Sequence, residues 1–275
     1  MTRLAERLRD PHLGRMVICA LLPPQVPLRR QLSNGLVFVG PNRRGWGGRG
    51  IFVYGEALEP ELGIIDSLLS PGDVVFDIGA NSGVYTLLAA RRVGPEGMVV
   101  SLEPNPQMLE VLDRNVRRNR LGNVRLRGLA ASDSCAPLAF YEHHRKPNSF
   151  SLVPERSSGA PSFTVLTVDL DRLVEWEGLT RVDFIKMDVE GAEGRVLAGA
   201  RRVIEDFRPP ILAEVFLGGL SEVPAGYGVF GPPRKSPNQL LLPDGHRLVE
   251  VVTRLGWRPT TLGGSGPATE TRPDR

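Results

Sequence analysis

Asp77, Gly79, Asn81 and Gly83 occupy alternate positions after an apolar run, Val74 to Ile78, and ahead of apolar residues that return at helical spacing, Val84, Leu87 and Leu88. The pattern reads as a buried strand, a sharp turn and a helix. Gly79 and Gly83 remove the Cβ penalty in that turn and let a ligand lie against bare main chain at the helix N-terminus. A dinucleotide turn needs glycine at its first, third and sixth positions, whereas the third here is Asn81 and the sixth Val84. The acid Asp77, just before the turn, repels a pyrophosphate and suits a cation, which points to a sulfonium or an ammonium.

Further acids recur where successive strands should end. Glu103 follows Met98 to Leu102, Asp133 follows Val124 to Ala130, and Asp188 and Glu190 follow Val182 to Met187. In a doubly wound sheet ligands bind beyond the carboxyl ends of the strands, so these acids converge on one edge. Glu103 lies 24 residues beyond Gly79, close to the roughly 20-residue offset at which an acid takes ribose hydroxyls in nucleotide folds. A hydroxyl acceptor would need a general base, and Asp188 at its strand tip and the pair His143 and His144 in a polar loop are the candidates. Two loop histidines can equally be solvated side chains without a role. Asp188, Glu190 and Glu214 offer oxygen ligands for Mg²⁺, but their spacing requires no metal and none is expected.

The elements that must position these residues follow in chain order. Up to residue 50 there are nine arginines against only Glu6 and Asp10, and the first dozen residues read as a short basic helix. Leu36 to Val39 and Ile51 to Tyr54 read as strands of a β-hairpin with a long glycine-rich tip, and Glu59 to Leu69 as a helix opened by Pro60. After the first strand-turn-helix unit come a strand at Met98 to Leu102, a helix at Met108 to Leu121 with Met108, Leu109, Leu112 and Val116 as its inner stripe, and a strand at Val124 to Ala130. This alternation gives a doubly wound parallel sheet.

Residues 137–170 interrupt it with alternating stretches that read as an antiparallel hairpin or excursion at the sheet edge, followed by a short helix from Asp169 to Trp176. Val182 to Met187 and Ile211 to Phe216 are the next parallel strands, joined by a helix with Val196, Leu197, Ala200, Val203, Ile204 and Phe207 on one face. Residues 217–244, rich in glycine and proline, read as a long loop over the strand ends. A helix at Leu248 to Leu255 and a last strand within Trp257 to Leu262 complete the sheet, and the composition from Gly263 on is that of a disordered tail. The expected organisation is an N-terminal extension over 1–70, a catalytic domain over 71–262 and a tail over 263–275.

A chain of 275 residues can bury a sizeable single α/β core. Its formal charge of +3, from 34 basic and 31 acidic residues, is a mild imbalance that implies no nucleic-acid partner. Cys19 and Cys135 fit neither a zinc site nor a disulfide framework, so a reducing cytoplasm is expected. The apolar run Met16 to Leu22 is far short of the roughly 20 residues that span a bilayer, and Pro23-Pro24 follows it without a small-residue cleavage site. Neither export nor a membrane partner is expected.

The stretch Asp77-Ile78-Gly79-Ala80-Asn81-Ser82-Gly83-Val84-Tyr85-Thr86 resembles motif I of the class I S-adenosylmethionine-dependent methyltransferases, and of their FkbM family in particular. Asp183-Phe184-Ile185-Lys186-Met187-Asp188-Val189-Glu190-Gly191-Ala192-Glu193 is a second stretch similar to that family. The resemblance covers roughly residues 50–216. It implies a Rossmann-like, seven-stranded methyltransferase sheet, here with an N-terminal β-hairpin and helix extension, and transfer of a methyl group from S-adenosylmethionine to a hydroxyl, often of a sugar or secondary metabolite. It also implies Asp77, Gly79, Asn81, Gly83 and Glu103 around the cofactor, and Asp133 where related enzymes often hold the adenine amino group. Amino-group methyltransferases of nucleic acids usually carry Asn/Asp-Pro-Pro-aromatic where this chain has Asp188-Val189-Glu190-Gly191, which favours an oxygen acceptor. The expected partner is therefore a small-molecule hydroxyl acceptor, with the oligomeric state left open. The competing readings are an RNA methyltransferase, suggested by the basic N-terminus, and a non-catalytic cofactor-binding module.

Overall fold

The computed structural model describes residues 11–43, 47–142, 150–154, 162–215, 220, 222–234 and 236–262. The expected basic helix over the first dozen residues and the tail from Gly263 lie almost wholly outside them. The described chain begins with helix α1 (Pro11–Leu21), a two-stranded hairpin of β1 (Pro27–Gln31) and β2 (Val37–Pro41), and helix α2 (Gly48–Tyr54). The hairpin is present, but its strands are not the expected pair. Ile51 to Tyr54 is helical: Ile51 enters the main core with Phe38 and Leu62 while Val53, on the other side of α2, packs against Cys19 and Leu28, and burial on two sides overrides a weak β propensity. The real partner, β1, is mostly polar and buries little besides Leu28, so it carries no strand signature. A 3-10 turn at Leu62–Ile64 and the short helix α3 (Ile65–Leu68) stand where one longer helix was expected.

Strand β3 (Val74–Ile78) leads into α4 (Val84–Val93), then β4 (Met98–Leu102), α5 (Pro106–Arg118) and β5 (Val124–Arg127). β3 pairs in parallel with β4, and β4 with β5. The chain then leaves the sheet. β6 (Ala130–Ala131), β7 (Pro137–Glu142), β8 (Phe150–Ser151) and β9 (Phe163–Val168) form a second sheet in the order β6-β9-β7-β8, so the excursion is a layer of its own. Helix α6 (Leu170–Glu177), capped by the Asp169 side chain accepting from the Arg172 N–H at 2.7 Å, returns the chain to β10 (Phe184–Met187) on the other side of β3.

The helix after β10 is broken into α7 (Glu193–Ala198) and α8 (Arg201–Phe207). Gly199 sits at the break, where a Cβ would collide with the Ser132 carbonyl. β11 (Ile211–Glu214) pairs in parallel with β10, and then antiparallel β13 (Asn238–Pro243) and β12 (Tyr227–Gly231) follow, flanked by α9 (Leu248–Arg254) and β14 (Arg258–Pro259). The central sheet runs β14-β12-β13-β11-β10-β3-β4-β5. It has eight strands where seven were expected, and the shortest of them is the two-residue β14. The stretch read as a long loop contains β12 and β13; glycines at 228 and 231 disguised the first of them.

The sheet separates two cores, and β3 feeds both. Val75 joins Leu87, Leu88, Val99 and Leu112 on one side, while Phe76 and Ile78 join Val100, Leu102, Leu173 and Val196 on the other. The N-terminal extension shares the first core through Phe38, Ile51, Leu62 and Leu68. Two asparagines on α5 fasten it. Asn115 Oδ1 accepts from the Val39 N–H at 2.9 Å while its Nδ2 donates to the Val39 carbonyl at 3.0 Å; Asn119 treats Val37 likewise at 2.8 and 2.8 Å. Four residues of helix rise about 6 Å and two of strand about 6.6 Å, so the i, i+4 amides match alternate strand residues and pair the free edge of β2 as another strand would.

Candidate active site

The strand order reverses at β3, whose neighbours are β4 and β10, and there a crevice opens beyond the carboxyl ends. A cavity of about 330 Å³ fills it. Gly79, Asn81, Glu103, Asn105 and Met108 form one part of its wall, and Phe140, Phe150, Leu152, Asp188 and Glu190 another. Gly79 (φ +73°) is the residue the turn cannot replace, because a Cβ there would run into the Asp188 carbonyl and push the β3 turn away from β10. Asn81 is also left-handed, at φ +49°. Gly83 is the residue before α4 and lies behind the wall, against Leu112.

Glu103 is buried on this wall with its carboxylate held from both ends. The Asn81 N–H donates to Oε2 at 2.7 Å and the Asn105 N–H to Oε1 at 2.8 Å. Burial pushes its carboxyl up to about 7, against the pull of those two N–H groups and of Lys186.

Asp77 is 1% exposed and forms no part of the cavity wall. Its Oδ2 accepts from Thr86 Oγ1 at 2.5 Å, and Ser101 Oγ supports Thr86 at 2.8 Å. Its Oδ1 faces Lys186 Nζ at 3.4 Å. Lys186 is 7% exposed, donates to the Gly79 carbonyl at 3.0 Å and lies 4.9 Å from the centre of the Tyr85 ring. Burial alone would lower its pKa, but the charges of Asp77, Asp188 and Glu59 outweigh burial and raise it, so Lys186 stays cationic. The cation that Asp77 satisfies here is therefore a lysine of the fold, beneath the turn. Asp77→Asn should leave that buried ammonium short of its nearest anion and lower stability by about 3 kcal/mol, read from the urea midpoint at unchanged slope. Addition of Lys186→Met should recover part of the loss.

Asp188 and Glu190 follow β10. Asp188 Oδ1 is sealed from solvent and takes no hydrogen bond. Glu190 is held at φ +52°, with its carbonyl accepting from Ser151 Oγ of β8 at 2.9 Å. One oxygen each of Asp188, Glu190 and Glu214 lies within 4.8 Å of the others. Glu193, also buried, braces the turn by accepting from the Gly191 N–H at 3.1 Å. Asp133 is apart from the wall, with its Oδ1 paired with Arg195 at 2.9 Å. His143 and His144 lie outside the described residues, between β7 and β8.

Four contributors, Lys186, Glu59, Phe140 and Phe150, were not singled out from the sequence. Lys186 is one of only three lysines in the chain and sits inside a buried strand, where a charge must be paired; that was a readable signal. Glu59, from the N-terminal extension, accepts from the Tyr85 hydroxyl at 2.7 Å; burial raises its pKa against that bond, and the charges of Lys186 and Asp188 act on it. Phe140 and Phe150 stack with ring centres 5.6 Å apart, with Phe163 5.4 Å from each, and give the cavity an aromatic side.

The family model described as the Methyltransferase FkbM domain matches residues 77–225, which spans the β3 turn, the second sheet and the β10 turn. The chain belongs to the FkbM methyltransferase family. Methyltransferase sdnD of Sordaria araneosa is 30% identical over 54% of this chain and 68% of its own length. The 31-O-demethyl-FK506 methyltransferase FkbM of Streptomyces tacrolimicus is 27% identical over 57% of this chain and 71% of its own. The 2-O-methyltransferase NoeI of Sinorhizobium fredii is 26% identical over 65% and 78%. Both stretches that carried the FkbM resemblance in the sequence fall inside the matched residues, and the excursion between them belongs to the FkbM domain as well.

Proposed function

We propose that this FkbM-family methyltransferase uses S-adenosylmethionine and methylates a hydroxyl oxygen of a small molecule. Glu103 carries the reading. Each of its oxygens is oriented by one backbone N–H, and the carboxylate still borders the cavity with lone pairs left for two hydroxyl donors such as those of a ribose. Gly79, Asn81 and Glu103, all on the cavity wall, would hold the cofactor, and the missing Cβ at Gly79 lets the turn close against the Asp188 carbonyl to shape that wall. When bound, S-adenosylmethionine supplies an electrophilic methyl group on a sulfonium. Lys186 and Asp77 support the turn from below and Asn105 and Met108 extend the wall.

On the acceptor side, Asp188 borders the cavity and keeps an oxygen, Oδ1, that takes no hydrogen bond, which supports it as the group that would take a hydroxyl proton once its side chain turns that oxygen toward the acceptor. Phe140, Phe150 and Leu152 exclude water, so that alignment and a desolvated carboxylate do most of the work. Glu59 brings the N-terminal extension to the same network, which supports a part for the extension in shaping the acceptor side. The absence of Asn/Asp-Pro-Pro-aromatic at Asp188 to Gly191, and the O-methyl specificity in two relatives' names, favour oxygen over nitrogen. The test is calorimetry with S-adenosylmethionine and its demethylated product, followed by a mass-shift screen of hydroxylated small molecules. Tight NAD binding in place of either ligand would sink the assignment.

The rival RNA reading predicts affinity for RNA that falls steeply with salt and flattens when Arg43 and Arg44 are replaced. The expected result is weak RNA binding at physiological salt, indifferent to both substitutions, measured by a titration across salt concentrations.

A further inference from the structure

α1 is amphipathic in the inverse sense. His12 Nδ1 lies 2.9 Å from the Val53 carbonyl, Arg15 donates to the same carbonyl at 3.2 Å, and Cys19 packs with Leu28 and Val53, so the side facing the protein is small and partly polar. The outward side is aliphatic. Leu13 is 37% exposed, Met16 48%, Val17 48%, Ile18 43% and Leu21 78%. Positions 13, 16, 17 and 21 fall on one stripe at helical spacing. Among the described residues ten large apolar side chains are exposed, and five of them lie on this one helix; Tyr54, a sixth, lies against it with its hydroxyl 3.9 Å from Met16 Sδ. An apolar patch of this kind on a single element marks a contact surface.

Charge selects the occupant. Up to residue 50 the nine arginines of the sequence outnumber Glu6 and Asp10, and among the described residues exposed Arg29 and Arg43 adjoin α1, since the neighbouring Leu28 packs with Cys19 and the neighbouring Asn42 donates to the Cys19 and Leu22 carbonyls. A second copy docked through a two-fold axis would set this positive region against itself. A nucleic acid would complement the charge but gain nothing from an aliphatic face without aromatic rings. An anionic lipid surface satisfies both halves, because aliphatic side chains enter the acyl boundary while arginines meet the headgroups.

We propose that α1 is an interfacial helix that seats this methyltransferase on an anionic membrane surface. No helix among the described residues is long and apolar enough to cross a bilayer, so the helix lies on the membrane and does not span it. The proposal differs from the sequence expectation of no membrane partner, and it stands independently of the acceptor's identity.

The experiment is flotation of the full chain with phosphatidylcholine vesicles, with and without phosphatidylglycerol, at low and high salt. Binding should be confined to the anionic vesicles, weaken with salt, and fall more than about tenfold in the triple variant Met16→Ser, Val17→Ser, Leu21→Ser. These side chains are exposed, and an unchanged melting curve and unchanged calorimetric binding of S-adenosylmethionine would certify that the variant is folded. No flotation with anionic vesicles, or flotation indifferent to the triple substitution, overturns the proposal. So does a concentration-dependent dimer in light scattering that the triple variant abolishes, which would assign the face to a second copy.

Discussion

Asp188→Asn is expected to leave binding of S-adenosylmethionine nearly intact while turnover falls 10²- to 10⁴-fold, roughly 3–5 kcal/mol, the range that a positioned base contributes. The substitution keeps the shape and removes the basicity of the one carboxylate on the cavity wall with a solvent-sealed oxygen that takes no hydrogen bond. A loss confined to binding would instead make Asp188 a cofactor contact. His143 and His144 provide the control: if either is the base, a His→Ala variant loses the rate and the asparagine variant keeps it. Chelator separates a third case, since Asp188, Glu190 and Glu214 bring oxygens within 4.8 Å of one another. A rate abolished by chelator and restored by Mg²⁺ would assign the site to a metal. The turnover measurements belong at saturating cofactor, where the rate reports the chemical groups and not the affinity.

The placement of the acids was legible because it follows from topology alone. Strand periodicity identified β3, β4 and β10, and the switch-point rule then put Glu103 and Asp188 on one edge, where the cavity lies. Depth was not legible. Asp77 and Glu103 both stand at strand ends, yet Asp77 serves Lys186 beneath the turn and Glu103 borders the cavity, a difference set by side-chain direction and by which neighbour carries a cation. The lysine itself was readable as a charge within an apolar strand.

Elements went unread where local chemistry was silent or contrary. β1 is Pro-Leu-Arg-Arg-Gln and survives as a strand only because β2 pairs with one side of it and α2 covers Leu28. Ile51 and Val53 have strand propensities and fold as helix because that conformation sends them to opposite sides, Ile51 into the main core and Val53 against Cys19 and Leu28, where a strand would put both on one face. The pairing of β2 by Asn115 and Asn119 could not be seen either. An asparagine on a helix reads as a surface residue, and its strand-like use depends on a β2 edge 76 and 82 residues away. Such contacts join the N-terminal extension to the turn after β3, for Asn115 Nδ2 also donates to the Ser82 carbonyl at 3.0 Å.

Glu103 should make cofactor binding depend on pH with a sign that is fixed in advance. Burial raises its carboxyl from 4.5 to about 7 in the free protein. Hydroxyl donors favour the anion, so the ligand binds the ionised form and expels a proton. Affinity should then be level above about pH 7 and fall by up to about tenfold per unit below it, with a proton released on binding near pH 6.5 that calorimetry in buffers of different ionisation enthalpy would count. Glu103→Gln should flatten the profile, and Glu103→Ala should weaken binding by about 1.5–3 kcal/mol, tenfold or more, at pH 8. Stability supplies an independent reading. The unfolded chain releases this proton near 4.5 and the folded chain near 7, so between those values the unfolded state holds fewer protons and stability falls as pH rises, by about 3 kcal/mol in total, and levels off above 7. The ligand-free urea midpoint should follow that slope in the wild type and lose most of it in Glu103→Gln. A wild-type affinity independent of pH between 5.5 and 8, by about less than a factor of two, would remove Glu103 from the ligand. A pH-dependent affinity that persists in Glu103→Gln would transfer the titration to another group.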